Sequence, residues 1–318
     1  MEDIMNNIKI FSGSSNPDLA QKVCEHLDLP LGKIAISSQQ SGEIHVSYEE
    51  TLRNCDVFLV QSLSHPVNEH LVELLVMLDA AKRASARSIN VVMPYYGYAR
   101  QERKSAPREP ISAKMVADVL TTVGADRIIT VDLHADPIQG FFKITVDHLS
   151  ALDLIIQYLR KKGIQNPVVV SPDAGRATIA EKLAGLLDCP FAIMIKNRPA
   201  HNQSEITHII GEVEGMTPII IEDLIDTGST IVNVVEALNK RGAHDAYICA
   251  THGLFSANAI EKLDHPHIQE VVITDTITLD AKNSDKFVVL SISEMLGSAI
   301  KIITKGGSIA TLFTTSSK

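Results

Sequence analysis

The chain has 318 residues, 45% hydrophobic and 21% charged, with no tryptophan and a formal net charge of −9. That length exceeds one ordinary core and points to two domains of about 150 residues each. The negative field repels polyanions, which argues against non-specific binding to nucleic acid or acidic membranes, whereas a small phosphorylated substrate responds to local charge.

The chain opens MEDIMNNIKIF, with acids ahead of a short apolar run, so no signal peptide is expected. Residues 8–11 are the first expected strand. Ser14, Ser15 and Asn16 can cap a helix over 17–27. In the segment 67–83, Leu71, Leu74, Leu75, Leu78 and Ala81 recur at helical spacing. Glu73 and Asp79 interrupt this run, and no stretch reaches the ~18 apolar residues of a membrane span. Further strands are expected at 57–61, 89–93, 127–131, 167–170, 219–221, 246–251, 269–274 and 287–290. Further helices are expected at 112–122, 150–161, 178–187, 230–239 and 256–262. The alternation predicts an α/β fold of parallel sheets flanked by helices. It runs through two rounds, with a junction at 147–151. Residues 308–313 read as a short strand that can return to either sheet. Cys24, Cys55, Cys189 and Cys249 show no CxxC or zinc spacing and read as reduced thiols of a cytoplasmic protein.

Ligands of open parallel sheets bind beyond the carboxyl ends of the strands, so the residues after each apolar run carry the chemistry. After 89–93 comes PYYGYARQERKSAPREP, in which Arg100, Arg103, Lys104 and Arg108 concentrate positive charge suited to phosphate oxygens. Tyr95, Tyr96 and Tyr98 can stack on a base or simply pack. After 127–131, Asp132, His134 and Asp136 alternate and can coordinate Mg²⁺ directly or through water. After 167–170, Asp173 suits a cation or a hydroxyl, and equally a turn. The segment KNRPAHNQSE, 196–205, carries Lys196 and Arg198 and reads as a mobile lid or a surface loop.

The densest segment is IIIEDLIDTGSTI, 219–231. Glu222 and Asp223 suit sugar hydroxyls. Asp226, Thr227, Gly228, Ser229 and Thr230 form a phosphate cradle without a lysine, at the start of a helix whose amides and dipole favour an anion. Gly228 permits a tight turn. The alternative is a capping loop with Ser229 or Thr230 as N-cap. An aspartic-protease loop also reads DTGS, but needs a second DTG or a dimer of a short β-rich chain. Neither GxxxxGK[ST] nor GxGxxG occurs in the chain.

Together, PYYGYARQERK, REPISAK, DLHADPIQGFF, VDHL, VSPDAGR and IIIEDLIDTGSTI resemble the ribose-phosphate pyrophosphokinases of class I, the phosphoribosyl-pyrophosphate synthases, in the family's order. The resemblance runs from about Ile8 to SIATLF. IIIEDLIDTGSTI alone also resembles type I phosphoribosyltransferases. The synthase resemblance implies two phosphoribosyltransferase-like domains, each a mainly parallel sheet flanked by helices. They span 1–147 and 148–303, with the tail 304–318 packed on the first. It implies Mg²⁺-dependent transfer of pyrophosphate from ATP to the anomeric hydroxyl of ribose 5-phosphate. ATP contacts then fall on Ser41, Gly42, Glu43, Arg100 and Gln101, and the metal on His134 and Asp173. Lys196 and Arg198 are the catalytic cations, Arg198 also reaching ribose 5-phosphate. Glu222 and Asp223 hold the ribose, and Asp226, Thr227, Gly228, Ser229 and Thr230 the 5-phosphate. A cytoplasmic homo-oligomer, a hexamer built from dimers, is implied as well.

The family's FxDGE becomes Gln39-Gln40-Ser41-Gly42-Glu43, without its aromatic residue and first acid. Lys143 stands where the family usually has Asp, and Lys196 to Asn202 loses two basic residues, one of them at Ala200. These departures leave a second reading, a catalytically weak paralogue that forms mixed oligomers with an active synthase. A third, a phosphoribosyltransferase, needs only one such domain and has no RQ loop.

Overall fold

The computed structural model describes residues 7–200, 203–279 and 285–312, without the side chains of 196–200 and 203–207. The chain divides into two units, Met1–Ser150 with Thr276–Thr278 and Ser291–Lys318, and Ala151–Asp275 with Leu279–Leu290.

In the first unit β1 (Ile8–Ser12) leads into α1 (Pro17–Leu27). Asn16 caps this helix by accepting the Leu19 amide, and Pro17 fits its first turn. An antiparallel hairpin follows, β2 (Ile34–Ser38) and β3 (Ile44–Tyr48). Its Ile34, Ile36, Val46 and Tyr48 pack on the core while the alternate residues face out. Then come β4 (Asp56–Val60), α2 (Val67–Arg83), β5 (Ser88–Met93), α3 (Ser112–Val123), β6 (Arg127–Val131) and β7 (Thr145–Leu149). The five-stranded sheet has the order β1-β4-β5-β6-β7, and every neighbouring pair is parallel. Strands β4 to β6 are nearly continuous apolar runs, as strands covered on both faces must be.

The second unit runs α4 (Leu152–Lys162), β8 (Pro167–Ser171), α5 (Ala177–Leu187), β9 (Phe191–Ala200), β10 (Gln203–Ile210), β11 (Thr217–Ile225), α6 (Ser229–Asn239), β12 (Ala246–Gly253), α7 (Ala259–Leu263), β13 (Ile268–Thr274) and β14 (Phe287–Leu290). Its seven-stranded sheet has the order β10-β9-β8-β11-β12-β13-β14 and is parallel except at β9–β10. Alternate residues feed two cores. Val168, Val170, Ile220, Ile248 and Val271 meet Val234, Val235 and Leu238 of α6. Val169, Ile219, Ile221, Cys249 and Val272 meet Ile155 and Leu159 of α4 and Leu183 of α5. Period-two alternation thus buries both faces of one sheet.

The last helix, α8 (Ser293–Thr304), returns to the first unit and crosses α1. Gly297 permits this close approach, since a Cβ there would lie 2.6 Å from Cδ2 of His26.

Three expectations need correction. Residues 309–312 form a 3-10 turn and not a strand: the Ser308 hydroxyl accepts the Ala310 amide and its carbonyl the Thr311 amide, closing the chain locally. The strand expected at 219–221 runs on to Ile225, because β12 pairs along it as far as Gly253. The segment 196–205 is largely strand backbone of the β9–β10 hairpin, with His201 and Asn202 outside the described residues.

Candidate active site

In the first unit, buried polar contacts tie the strand ends together. Glu73 of α2 accepts the Ser14 amide and hydroxyl and the Gln61 side-chain amide, each at 2.7 Å. The Ser62 hydroxyl donates to the Thr276 carbonyl and accepts the Tyr95 amide. Beyond β5, Tyr96 is buried, donates to the Ala113 carbonyl at 2.7 Å and meets Phe142 edge-to-face. Tyr98 donates to Asn68. Of the two uses open to these tyrosines, Tyr96 and Tyr98 take packing. They set a 3-10 turn, Ala99–Gln101, that carries Arg100 and Gln101 at the surface. Ser41, Gly42 and Glu43 sit at the tip of the β2–β3 hairpin, where the Ser41 hydroxyl donates to Glu43 at 2.8 Å.

His134 follows β6 on a loop that begins at Asp132, in the left-handed region with φ 37°. The loop is held by His148 of β7, whose Nε2 accepts the Leu133 amide at 2.8 Å. That bond requires an unprotonated Nε2, so the proton of the neutral ring sits on Nδ1. Burial depresses the His148 pKa below its ordinary 6.5, against the opposing pull of Asp132 and Asp136.

In the second unit, Asp173 follows β8 and accepts the Gly175 amide at 2.9 Å, capping a 3-10 turn over Ala174–Arg176. Glu222 and Asp223 lie within β11, and Asp226 comes directly after its end. Gly228, with φ 71°, is the N-cap of α6, and no side chain caps that helix. The capping alternative, with Ser229 or Thr230 as N-cap, is thereby replaced. Thr227, Ser229 and Thr230 are exposed around the turn. The helix start thus presents amides and hydroxyls together. Lys196 and Arg198 belong to β9 by backbone, and their side chains lie outside the described residues.

A family model for the N-terminal domain of ribose phosphate pyrophosphokinase matches residues 8–124, and one for the phosphoribosyl synthetase-associated domain matches 165–314. A ribose-phosphate pyrophosphokinase from Fusobacterium nucleatum is 52% identical over 97% of this chain and 98% of its own. The chain belongs to the ribose-phosphate pyrophosphokinase family. Another ribose-phosphate pyrophosphokinase, from Oceanobacillus iheyensis, is 48% identical over 97% of this chain and 98% of its own. The crystal structure of phosphoribosylpyrophosphate synthetase from Mycobacterium smegmatis matches with a TM-score of 0.89 at 41% identity, over 95% of this chain and 100% of that one.

Two cations of this pyrophosphokinase-family chain make contacts that the sequence does not announce, although Arg176 closes the segment VSPDAGR. Lys262 of α7 brings Nζ to 2.9 Å from Oγ of Ser229, so a lysine 33 residues downstream stands beside the loop at the start of α6. Arg176 Nη2 lies 2.5 Å from Oδ1 of Asp223, with Nε 3.8 Å from Oε2 of Glu222. Neither contact is marked locally, because each joins separate elements.

Among the described residues, no group of three or more His, Cys, Asp or Glu is placed to hold a metal. His134 of the first unit offers an imidazole and Asp173 of the second a carboxylate, and the carboxylate suits Mg²⁺. This ion keeps several waters and is commonly held by one or two carboxylates together with substrate phosphates.

Proposed function

We propose that the chain transfers the β,γ-pyrophosphoryl group of ATP to the anomeric hydroxyl of ribose 5-phosphate, giving 5-phosphoribosyl 1-pyrophosphate and AMP. Membership of the family across nearly the whole length supports the reaction. The observation that carries the site is local to β11 and the turn after it: two acids on the strand are followed, past Asp226 and Thr227, by an uncapped helix start at a left-handed glycine. That arrangement matches a sugar bearing hydroxyls at one end and a phosphate at the other.

The first-turn amides of α6, with the hydroxyls of Thr227, Ser229 and Thr230, bind the 5-phosphate. Glu222 and Asp223 accept the ribose hydroxyls. Arg100 and Gln101, with Ser41, Gly42 and Glu43, hold ATP. The anomeric oxygen forms a bond to the β-phosphorus as the bond from that phosphorus to the α,β-bridging oxygen breaks. The hydroxyl proton is lost to solvent and AMP departs. Such a reaction needs alignment and charge neutralisation more than covalent help. Lys196 and Arg198 stabilise the transferring group, each well-placed cation contributing about 3–4 kcal/mol by analogy with oxyanion donors. His134 and Asp173 are the residues that would hold Mg²⁺, which would supply further neutralisation of charge on the phosphates. Assembly into a homo-hexamer is inferred from the family resemblance. A cytoplasmic setting is supported by the free thiols Cys24, Cys55, Cys189 and Cys249.

Lys196→Ala is expected to lower kcat roughly 10²- to 10³-fold with an unchanged melting temperature. An undiminished kcat would remove Lys196 from the mechanism.

A further inference from the structure

We propose that Arg176 is a positioning residue for the sugar. It gathers the carboxylates of Glu222 and Asp223 into one hydroxyl-accepting pair and so sets the preference for ribose over deoxyribose phosphates. The proposal rests on the reading of those two acids as the ribose site.

Adjacent residues of a strand point to opposite faces, so Glu222 and Asp223 do not converge by themselves. Pairing of β8 with β11 ends at Val170 and Ile220, two residues before Glu222. The turn after β8 brings Arg176 alongside β11 at that point, and its guanidinium meets both acids. The side chains are well shielded, with 15% of Arg176, 14% of Glu222 and 7% of Asp223 exposed.

A guanidinium is a rigid fork of five donors, able to bond two carboxylates at fixed angles, which an ammonium cannot do. Two shielded carboxylates without a cation would repel each other and any incoming phosphate. With Arg176 the trio carries one net negative charge. Each carboxylate oxygen has two lone pairs, so sugar hydroxyls are accepted alongside the ion pair. Asp173 caps the turn that carries Arg176, so the placement of the fork is linked to that carboxylate.

Calorimetric titration of wild type, Arg176→Gln and Arg176→Lys with ribose 5-phosphate, 2-deoxyribose 5-phosphate and ATP tests this. The deoxy sugar lacks one hydroxyl. Sites built to bond a hydroxyl discriminate strongly against its absence. Wild type is expected to prefer ribose 5-phosphate, and Arg176→Gln to lose at least about tenfold of that preference. The ATP affinity should change by less than about twofold. A merely structural role would weaken both sugars alike and leave their ratio intact. A ratio within about twofold of wild type in Arg176→Gln overturns the proposal. If that variant does not fold, Arg176→Lys decides: a loss of roughly threefold supports the fork, and an unchanged ratio overturns it. A wild type that binds neither sugar phosphate would overturn the ribose reading and this proposal together. Binding with an undisturbed variant ratio would overturn this proposal alone.

Discussion

His148 shows how one side chain can set the geometry of a loop it does not belong to. Its neutral Nε2 accepts the Leu133 amide, one residue before His134. Burial holds its folded pKa below 6.5, so the unfolded chain binds more protons as pH falls through that region. The stabilisation is therefore present above 6.5 and lost toward the folded pKa. Urea midpoints measured from about pH 7 down to about pH 5 should fall more steeply for wild type than for His148→Gln, and equal slopes would refute this. Lys262 acts at the same scale. Lys262→Met should raise the KM for ribose 5-phosphate severalfold, an effect that shrinks with salt, while the KM for ATP stays put. Equal changes in both would place Lys262 outside the cradle. The residues of 222–230 could be singled out together in the sequence because they are contiguous. The contacts of Arg176, Lys262 and His148 were hidden because each reaches its partner across the fold, His148 spanning 15 positions to Leu133.

Among the elements, the long amphipathic and fully apolar segments were legible and the half-exposed ones were not. The helices Pro17–Leu27 and Val67–Arg83 were readable to the residue from their periodicity and flanks. Strands β2 and β3 escaped because a single buried face leaves only Ile34, Ile36, Ile44, Val46 and Tyr48 as signal, although that alternation was present. Strand β7, with Asp147 and His148 inside it, was masked by its own polar residues. α2 carries the converse case, a carboxylate in a buried stripe. Glu73 is only 5% exposed and satisfies three donors from Ser14 and Gln61. Removing it orphans buried donors, so Glu73→Ala should cost about 2–3 kcal/mol in denaturant melts. A loss below about 0.5 kcal/mol would mean that water replaces the carboxylate.

For the molecule as a whole, the net charge of −9 and the sugar-phosphate chemistry are compatible because the cations are local. In the second unit Arg176 stands at Glu222 and Asp223 and Lys262 at Ser229, and in the first Arg100 sits on the 3-10 turn Ala99–Gln101. Among the described residues no helix is long and apolar enough to cross a membrane. The parallel-sheet architecture was legible from the alternation of apolar runs and helices, and the family from the motifs that follow those runs. The reaction itself is tested by its products. Purified protein incubated with Mg²⁺, ATP and ribose 5-phosphate, monitored by ³¹P NMR and ion-exchange chromatography, should yield AMP and 5-phosphoribosyl 1-pyrophosphate in equal amounts. The appearance of ADP in place of AMP, or no consumption of ATP, would contradict pyrophosphoryl transfer.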